Sequence, residues 1–379
     1  FDEALPPPTQ GHAPAPDANR AAWFDWADWN MRRFTDHLKW AYRDIRSLHP
    51  DMPICAGGTH SMLSANIGTT GIDEELIINE VDDVILHEGN DPMGIDLFHA
   101  LSDRPRPLVD PEQGGGCEGW LLNYLHGKST IAMFWWPRQP SRQFSSSTLL
   151  SPAHGDMSIP KVLEHLTTAL DVRRIGEEIV AFWDLPKEVA IVYSRSTMIQ
   201  VDPRMMSAHE TPYLKALRGS YDAARCLDAG LTFVSERQLA AGKAKAYKLI
   251  LLPAVRHVPE AVFEALDRYA AEGGTLVVLP ESLLCDEYNR PMEYLARWGI
   301  SKATGKAAGA TTRTSSAPYI SGRASAGRPH GFPAIWGPSP LRSPACFSAW
   351  KRAGRPRRGD RKARPWSCTS QGARATSGI

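Results

Sequence analysis

Residues 106–116 read Arg106-Pro-Leu-Val-Asp-Pro-Glu-Gln-Gly-Gly-Gly116, a short extended run that ends in a carboxylate and three glycines. A parallel strand that delivers Glu112 into a glycine-rich loop is typical of a barrel that presents a side chain at the carboxyl-terminal rim of its sheet. A surface turn rich in Asp and Glu is the competing interpretation, since short motifs often arise by chance. The neighbouring sequence favours the barrel.

Short apolar runs recur on both sides of this stretch and are separated by helical patterns. The predicted strands are 52–57, 83–87, 106–110 and 130–136, and the predicted helices are 23–49, 72–79, 94–101, 119–126 and 160–183. Strands that alternate with helices predict parallel pairing and right-handed crossovers. We therefore expect an α/β fold in which residues 1–184 form the carboxyl-terminal half of a (β/α)8 TIM barrel, with the first half absent.

A second alternating unit begins after Pro186. Its predicted strands are 188–193, 231–234, 248–252 and 274–279, and its predicted helices are 212–229 and 259–272. Continuous Val, Ile and Leu runs are expected where helices cover both faces of a sheet. Neither a GxGxxG nor a GxxxxGK[ST] motif is present, so no phosphate cradle and no cofactor are predicted. We expect a separate doubly wound α/β domain over residues 185–302.

The composition changes abruptly after Lys302. Residues 303–379 hold 14 Lys and Arg against one acid, Asp360, whereas the rest of the chain holds 29 against 41. This tail, rich in Ala, Gly, Ser, Pro and Arg, is predicted to be disordered because it cannot bury a core. A basic nucleic-acid-binding arm is the functional alternative. We favour a frameshift artefact and expect no nucleic-acid partner.

Localisation is weakly bounded by the sequence. No apolar run reaches the roughly 18 residues that a membrane span needs, and no signal-peptide pattern is present, so no membrane partner is expected. We favour a soluble cytoplasmic protein on these grounds. Because the chain begins with Phe rather than Met, secretion stays open. The six Cys lack CxxC spacing, which predicts neither a zinc cage nor a disulfide framework, and most are expected in the core.

Two carboxylates are candidates for catalysis. Hydrolysis of a glycosidic bond with retention uses two carboxyl groups about 5 Å apart, one as nucleophile and one as acid/base. Glu112 is the candidate nucleophile. Glu3 precedes a proline-rich loop and is the candidate acid/base, with Asp2 beside it to help hold the substrate. An exposed charge at the chain end is the alternative interpretation of Glu3.

Candidate substrate-binding residues lie just past the predicted strand ends. Aromatic rings stack on the apolar faces of sugar rings, and polar side chains hydrogen-bond the hydroxyl groups. Because successive side chains of a strand point to opposite faces, at most one of Trp135 and Trp136 faces the site. Besides Asp2, the candidates are His60, His87, Asp91, Trp135, Trp136 and Arg138.

Two other kinds of site are less favoured. His87, Glu88 and Asp91 have donor types that suit a divalent ion, but no second His lies at helical ligand spacing, so no metal site is predicted. Cys285 lacks the glycine-flanked elbow of a nucleophile, and no Cys or Ser directly follows the strand that ends at Leu252. The second domain is therefore predicted to be non-catalytic, which argues against an amidohydrolase or glutaminase.

Three segments of the second domain resemble the trimerisation domain of the β-galactosidases of glycoside hydrolase family 42. They are Val189-Ala-Ile-Val-Tyr193, Tyr247-Lys-Leu-Ile-Leu-Leu-Pro253 and Tyr269-Ala-Ala-Glu-Gly-Gly-Thr-Leu-Val-Val278. The resemblance implies a class I glutamine-amidotransferase-like (flavodoxin-like) fold without that fold's active site. It also implies a homotrimer, a carbohydrate substrate and no cofactor.

For residues 1–184 the resemblance implies the latter half of the family's catalytic barrel. Glu112 then matches the nucleophile after the seventh strand. Glu3 matches the acid/base of the family's Asn-Glu pair, in which Asp2 replaces the Asn, and the family's cysteine zinc cluster has no counterpart. The implied function is a retaining glycoside hydrolase acting on β-galactosides or related bonds. The rival is a non-catalytic carbohydrate-binding or assembly protein, which would not need paired carboxylates.

Overall fold

A computed structural model describes residues 19–56, 61–63, 67–89, 91–110, 117–131, 159–200 and 211–300. All of them belong to one compact unit, Phe1–Arg323. The described helices are α1 (Arg20–Leu48), α2 (Ile67–Thr70), α3 (Glu74–Glu80), α4 (Pro92–Leu101), α5 (Cys117–Leu125), α6 (Ile159–Arg174), α7 (Gly176–Trp183), α8 (Arg195–Ile199), α9 (Pro212–Ala224), α10 (Glu236–Ala240), α11 (Glu260–Ala271) and α12 (Tyr294–Arg297). The described strands are β1 (Ile85–Leu86), β2 (Leu108–Asp110), β3 (Thr130–Ile131), β4 (Val189–Tyr193), β5 (Leu231–Ser235), β6 (Leu249–Leu252) and β7 (Thr275–Val278).

The first sheet is parallel and has the order β1-β2-β3. Ile85 pairs with Leu108, and Val109 pairs with Thr130. Helix α4 connects β1 to β2, and α5 connects β2 to β3. The predicted alternation of strands and helices is therefore confirmed for this part of the chain.

The strand predicted at residues 52–57 is wrong for its described part, because residues 52–56 form no strand. The Ile54 carbonyl accepts from the Asp83 amide at 2.8 Å. However, the amides of Ile54 and Ala56 donate to the side chains of Asp83 at 2.9 Å and Asp82 at 2.7 Å. Carboxylates thus take the place of the carbonyls of a neighbouring strand, and the segment is held beside residues 82–84 without a ladder.

The buried carboxyl group of Asp82 is expected to make the stability of the protein depend on pH. It is buried, and burial raises the pKa of its carboxyl group to about 6, partly offset by the amide of Ala56 and the charge of Arg106. Because the folded pKa exceeds the unfolded one, the Asp82 contribution to stability is full below about pH 4 and is lost as pH rises towards 6. Asp82→Asn keeps an acceptor for Ala56, so it should stabilise the protein at pH 7 by about 1–3 kcal/mol.

Urea unfolding between pH 4.5 and pH 8 measures this effect. The gain in unfolding free energy from Asp82→Asn should shrink steadily as pH falls. The matched control is Asp171→Asn on α6, where the carboxylate is exposed and pairs with Arg174; it should change stability little at any pH. A pH-independent effect of Asp82→Asn would show that the pKa of Asp82 is not raised in the folded protein.

The long helix α1 is confirmed, with Asn19 as its N-cap, accepting from the Ala22 amide at 3.0 Å. The single helix predicted over 160–183 is wrong: α6 ends at Arg174 and α7 begins at Gly176. Ile175 between them has a ψ of 23°, outside the helical range. Gly176 directly after it has a low helix propensity, so the chain breaks here into two helices.

The second sheet is parallel and has the order β5-β4-β6-β7. β4 is central and buried along its whole length. Chain order runs in opposite directions on the two sides of β4, which is the arrangement of a doubly wound sheet. After α11, Gly273 has a φ of +94°, and the Gly274 amide donates to the Tyr269 carbonyl at 2.9 Å, so these two glycines cap the end of α11.

One hydrophobic core joins the two sheets to α1. Trp23 of α1 is 1% exposed and donates its indole N–H to the Ile199 carbonyl at 2.8 Å. The hydroxyl of Tyr193, at the end of β4, donates to the Met62 carbonyl at 2.8 Å. These buried contacts tie Trp23 to α8 and Met62 to the end of β4.

The described free cysteines differ in their burial. Cys285 is buried, but Cys55 and Cys226 are exposed, so the expectation of core positions is wrong for these two. Within the described part of the chain, no helix has the length and apolar character needed to cross a membrane.

Candidate active site

The candidate site lies at the carboxyl edge of the first sheet, where β1, β2 and β3 end. Parallel strands bring the residues that follow them to the same edge. His87 directly follows β1, and Asp110 is the last residue of β2. The His87 amide donates to the Val109 carbonyl at 3.0 Å, so the end of β1 stays paired with β2 up to this edge.

His87 lies beneath α4. It is buried, and its ring stacks on Phe98 with the ring centroids 4.5 Å apart and the planes 27° from parallel. A Cβ atom on Gly94 would come within 3.1 Å of the His87 Nε2, so glycine allows α4 to lie this close to the ring. The packing orients the imidazole, and its contact with a sugar stays a prediction.

Asp91 connects α4 to α9. Its carboxylate caps α4 by accepting from the Met93 amide at 3.3 Å, and it forms a two-pronged ion pair with Arg218, with one N–O distance of 2.6 Å. Burial raises the pKa of Asp91, but Arg218 outweighs burial and holds the pKa below its usual range. Both carboxylate oxygens therefore have partners in the structure, and a contact with substrate stays a prediction.

Asp110 and Lys128 form a buried ion pair at this edge. Neither side chain has any exposed surface. The Lys128 ammonium donates to the Asp110 carboxylate and, at 2.5 Å, to the Gly89 carbonyl. Burial lowers the pKa of Lys128, and the Asp110 carboxylate opposes this shift. Sequence reasoning missed Lys128; the available signal was a single charge two residues before the apolar run at 130–136.

The other predicted site residues lie outside the described residues. They are Asp2, Glu3, His60, Glu112, Trp135, Trp136 and Arg138. Glu112 follows Asp110 by two residues in the sequence. No group of three or more His, Cys, Asp or Glu among the described residues is arranged to hold a metal ion.

A second polar cluster lies at the carboxyl edge of the second sheet. Ser194 follows β4, and its hydroxyl donates to Glu236 at 2.6 Å while it caps α8 by accepting from the Thr197 amide at 3.0 Å. Glu236 also accepts from the Ser196 amide at 3.1 Å and hydroxyl at 2.7 Å. Burial raises the pKa of Glu236, and these hydrogen bonds oppose the shift.

This second cluster does not have the geometry of an activated serine. The ring of His257 pairs with Asn289 at 2.9 Å, and the Ser194 hydroxyl donates to a carboxylate. A serine nucleophile needs a base that takes its proton and an open approach for the substrate. Ser194 is fully buried, so its role in the structure is to cap α8 and satisfy Glu236.

The fold is α/β with two parallel sheets, and comparisons with known proteins define it further. Residues 187–307 match the family model described as the beta-galactosidase trimerisation domain. No curated protein sequence matches the chain significantly.

Several solved structures of glycoside hydrolase family 42 are similar. An exo-carrageenase from Bacteroides ovatus has a TM-score of 0.55 and 16% identity, over 79% of this chain and 43% of that one. A β-galactosidase from Marinomonas ef1 has a TM-score of 0.57 and 15% identity, over 79% and 50%. A catalytic mutant of a β-galactosidase from G. stearothermophilus has a TM-score of 0.54 and 19% identity, over 75% and 45%.

The chain thus spans half or less of the length of these structures. Its fold is like that of the family's TIM-barrel proteins, and it contains the trimerisation domain of the family's β-galactosidases. The chain is therefore similar to proteins of glycoside hydrolase family 42.

Proposed function

We propose that this chain is part of a retaining glycoside hydrolase that cleaves β-galactosides or related glycosidic bonds. The match of residues 187–307 to the β-galactosidase trimerisation domain carries the proposal. The parallel sheet that ends at Asp110, two residues before Glu112, supports it, since barrel enzymes present their catalytic groups after strand ends. The similar structures include β-galactosidases and an exo-carrageenase, which keeps the substrate class broad.

The proposed chemistry takes two displacements. Glu112 attacks the anomeric carbon as the bond to the leaving oxygen breaks, and Glu3 donates its proton to that oxygen. Glu3 then removes a proton from water, which attacks the same carbon and releases Glu112. Two inversions give net retention, and no cofactor takes part.

The proposed architecture follows the same family. Residues 1–184 form the latter half of the (β/α)8 barrel, and residues 185–302 form a class I glutamine-amidotransferase-like domain. The proposed assembly is a homotrimer, a closed arrangement that is common among soluble oligomers. The proposed sugar contacts are Asp2, His60, His87, Asp91, Arg138 and one of Trp135 and Trp136.

The rival proposal is a non-catalytic carbohydrate-binding protein with the same two domains. The difference lies in the acid/base, because binding a sugar does not need paired carboxylates. Glu3, the candidate acid/base, is the residue that distinguishes the two proposals.

An assay of the full-length reading frame on nitrophenyl glycosides, galactoside included, tests the proposal. We expect nitrophenol release, with the first-formed sugar keeping the anomeric configuration of the substrate when followed by proton NMR. A first-formed sugar of opposite configuration would exclude a retaining enzyme. A folded protein that binds galactosides but releases nothing from any substrate would support the binding protein.

A further inference from the structure

One ammonium group holds the ends of two strands together beneath the candidate site. The Ser129 amide donates to the Leu108 carbonyl at 2.8 Å, so Lys128 begins beside the start of β2. Its four-carbon side chain extends to Asp110 at the end of β2 and to the carbonyl of Gly89 beyond β1. The ammonium therefore ties the end of β2 and the segment after β1 to the chain that enters β3.

Stability alone does not explain an ion pair at this place. Removing two charges from water is costly, and two apolar side chains of similar volume are often as stable or more so. An ammonium and a carboxylate add direction instead, since hydrogen bonds fix their partners in distance and angle. The pair lies where position matters most, because Glu112 follows Asp110 by two residues and His87 and Asp91 flank Gly89.

We propose that Lys128 is a positioning residue, which fixes Gly89 after β1 and Asp110 at the end of β2 and so sets the point from which the chain continues to Glu112. This inference rests on the proposed glycosidase function. Misplacement of a reacting group by about 1 Å lowers a rate about 10²-fold. Lys128 should therefore affect kcat far more than KM.

Two variants of the full-length protein separate positioning from stability. Lys128→Met leaves the Asp110 carboxylate buried without its ammonium, and should lower Tm by on the order of 10 °C. Lys128→Met combined with Asp110→Leu removes both charges and should restore most of that Tm. In the double variant kcat should stay about 10²-fold below the parent while KM changes little.

The control is a matched double variant, Lys248→Met with Glu188→Leu. This pair is exposed, with side-chain exposures of 77% for Lys248 and 39% for Glu188. It lies in the second sheet, at the amino-terminal ends of β4 and β6. Both kcat and Tm should stay near parent values. If kcat recovers together with Tm in the Lys128 double variant, Lys128 is only structural and the proposal is overturned.

Amide hydrogen exchange gives a readout that does not depend on activity. In the Lys128 double variant, peptides covering residues 87–91 and 111–118 should exchange faster than in the parent, whereas α11 should not change. Unchanged exchange in both loop peptides would overturn the positioning role. If the parent protein cleaves no glycoside, the proposed function fails, and the exchange data still decide whether Lys128 orders these loops.

Discussion

Replacement of Glu112 by Gln is expected to lower kcat on nitrophenyl glycosides by on the order of 10⁴-fold or more. The amide has nearly the shape of the carboxylate but cannot form the glycosyl-enzyme, so the first displacement loses its nucleophile. Thermal unfolding and the mass of the oligomer should stay at parent values, because the change preserves volume. The measurement is steady-state turnover in the full-length protein.

The matched control for Glu112→Gln is Glu118→Gln. Glu118 is an exposed carboxylate near the start of α5, six residues further along the chain. Its variant should turn over like the parent. Azide offers a second test with Glu112→Ala: it fits the space left by the carboxylate and attacks from the same face, so the glycosyl azide should have inverted configuration. Activity retained in Glu112→Gln would remove Glu112 as the nucleophile.

The fold could be predicted from the sequence where one local pattern determines the element. The apolar spacing that includes Trp26, Trp29 and Phe34 predicted α1 without a distant partner, although Trp29 is exposed, and the continuous apolar runs predicted β4 and β6. The segment at 52–56 could not be assigned correctly in this way. Its apolar residues suit a strand, but the side chains of Asp82 and Asp83 take the backbone amides that a ladder would use.

The site shows the same limit more strongly. Glycines after Glu112 are a local signal, so the carboxylate could be singled out. The partnership of Lys128 with Asp110 spans 18 residues and depends on the register of β2 against β3, which the sequence does not reveal. Likewise, the local sequence around Asp91 indicates only a polar loop residue. Its ion-pair partner, Arg218, lies 127 residues further along the chain.

A second ionic network across the unit carries the largest expected stability effect. Arg237 of α10 donates to Asp73 at 2.6 Å and to Glu75 at 2.9 Å, and both carboxylates are nearly inaccessible to solvent. Burial raises the pKa of Asp73, but Arg237 and Arg195 outweigh burial and hold the pKa below its usual value. For Glu75, burial dominates and the pKa is raised.

Arg237→Met should therefore destabilise the protein by about 3–5 kcal/mol at pH 7, because it leaves two buried carboxylates without their guanidinium. The pH dependence gives a second readout. The lowered pKa of Asp73 provides stability that is present above the pKa of Asp73 in the unfolded chain, and this stability is lost as pH falls through its pKa in the folded protein. Without Arg237, burial raises the pKa of both carboxyl groups in the variant, so they take up protons and the deficit in unfolding free energy should shrink as pH falls from 7 towards 4.5. Arg256→Met is the control, since Arg256 forms an exposed pair with Glu281 and its loss should cost about 0–1 kcal/mol. Asp73 caps α3 and Glu75 belongs to it, whereas Arg237 belongs to α10, so Arg237→Met should still unfold in one transition if the shared core of Trp23 and Ile199 is the main link. Two separated transitions would instead show that the ionic network couples the domains, and a deficit below about 1 kcal/mol would show that the carboxylates are neutral in the folded protein.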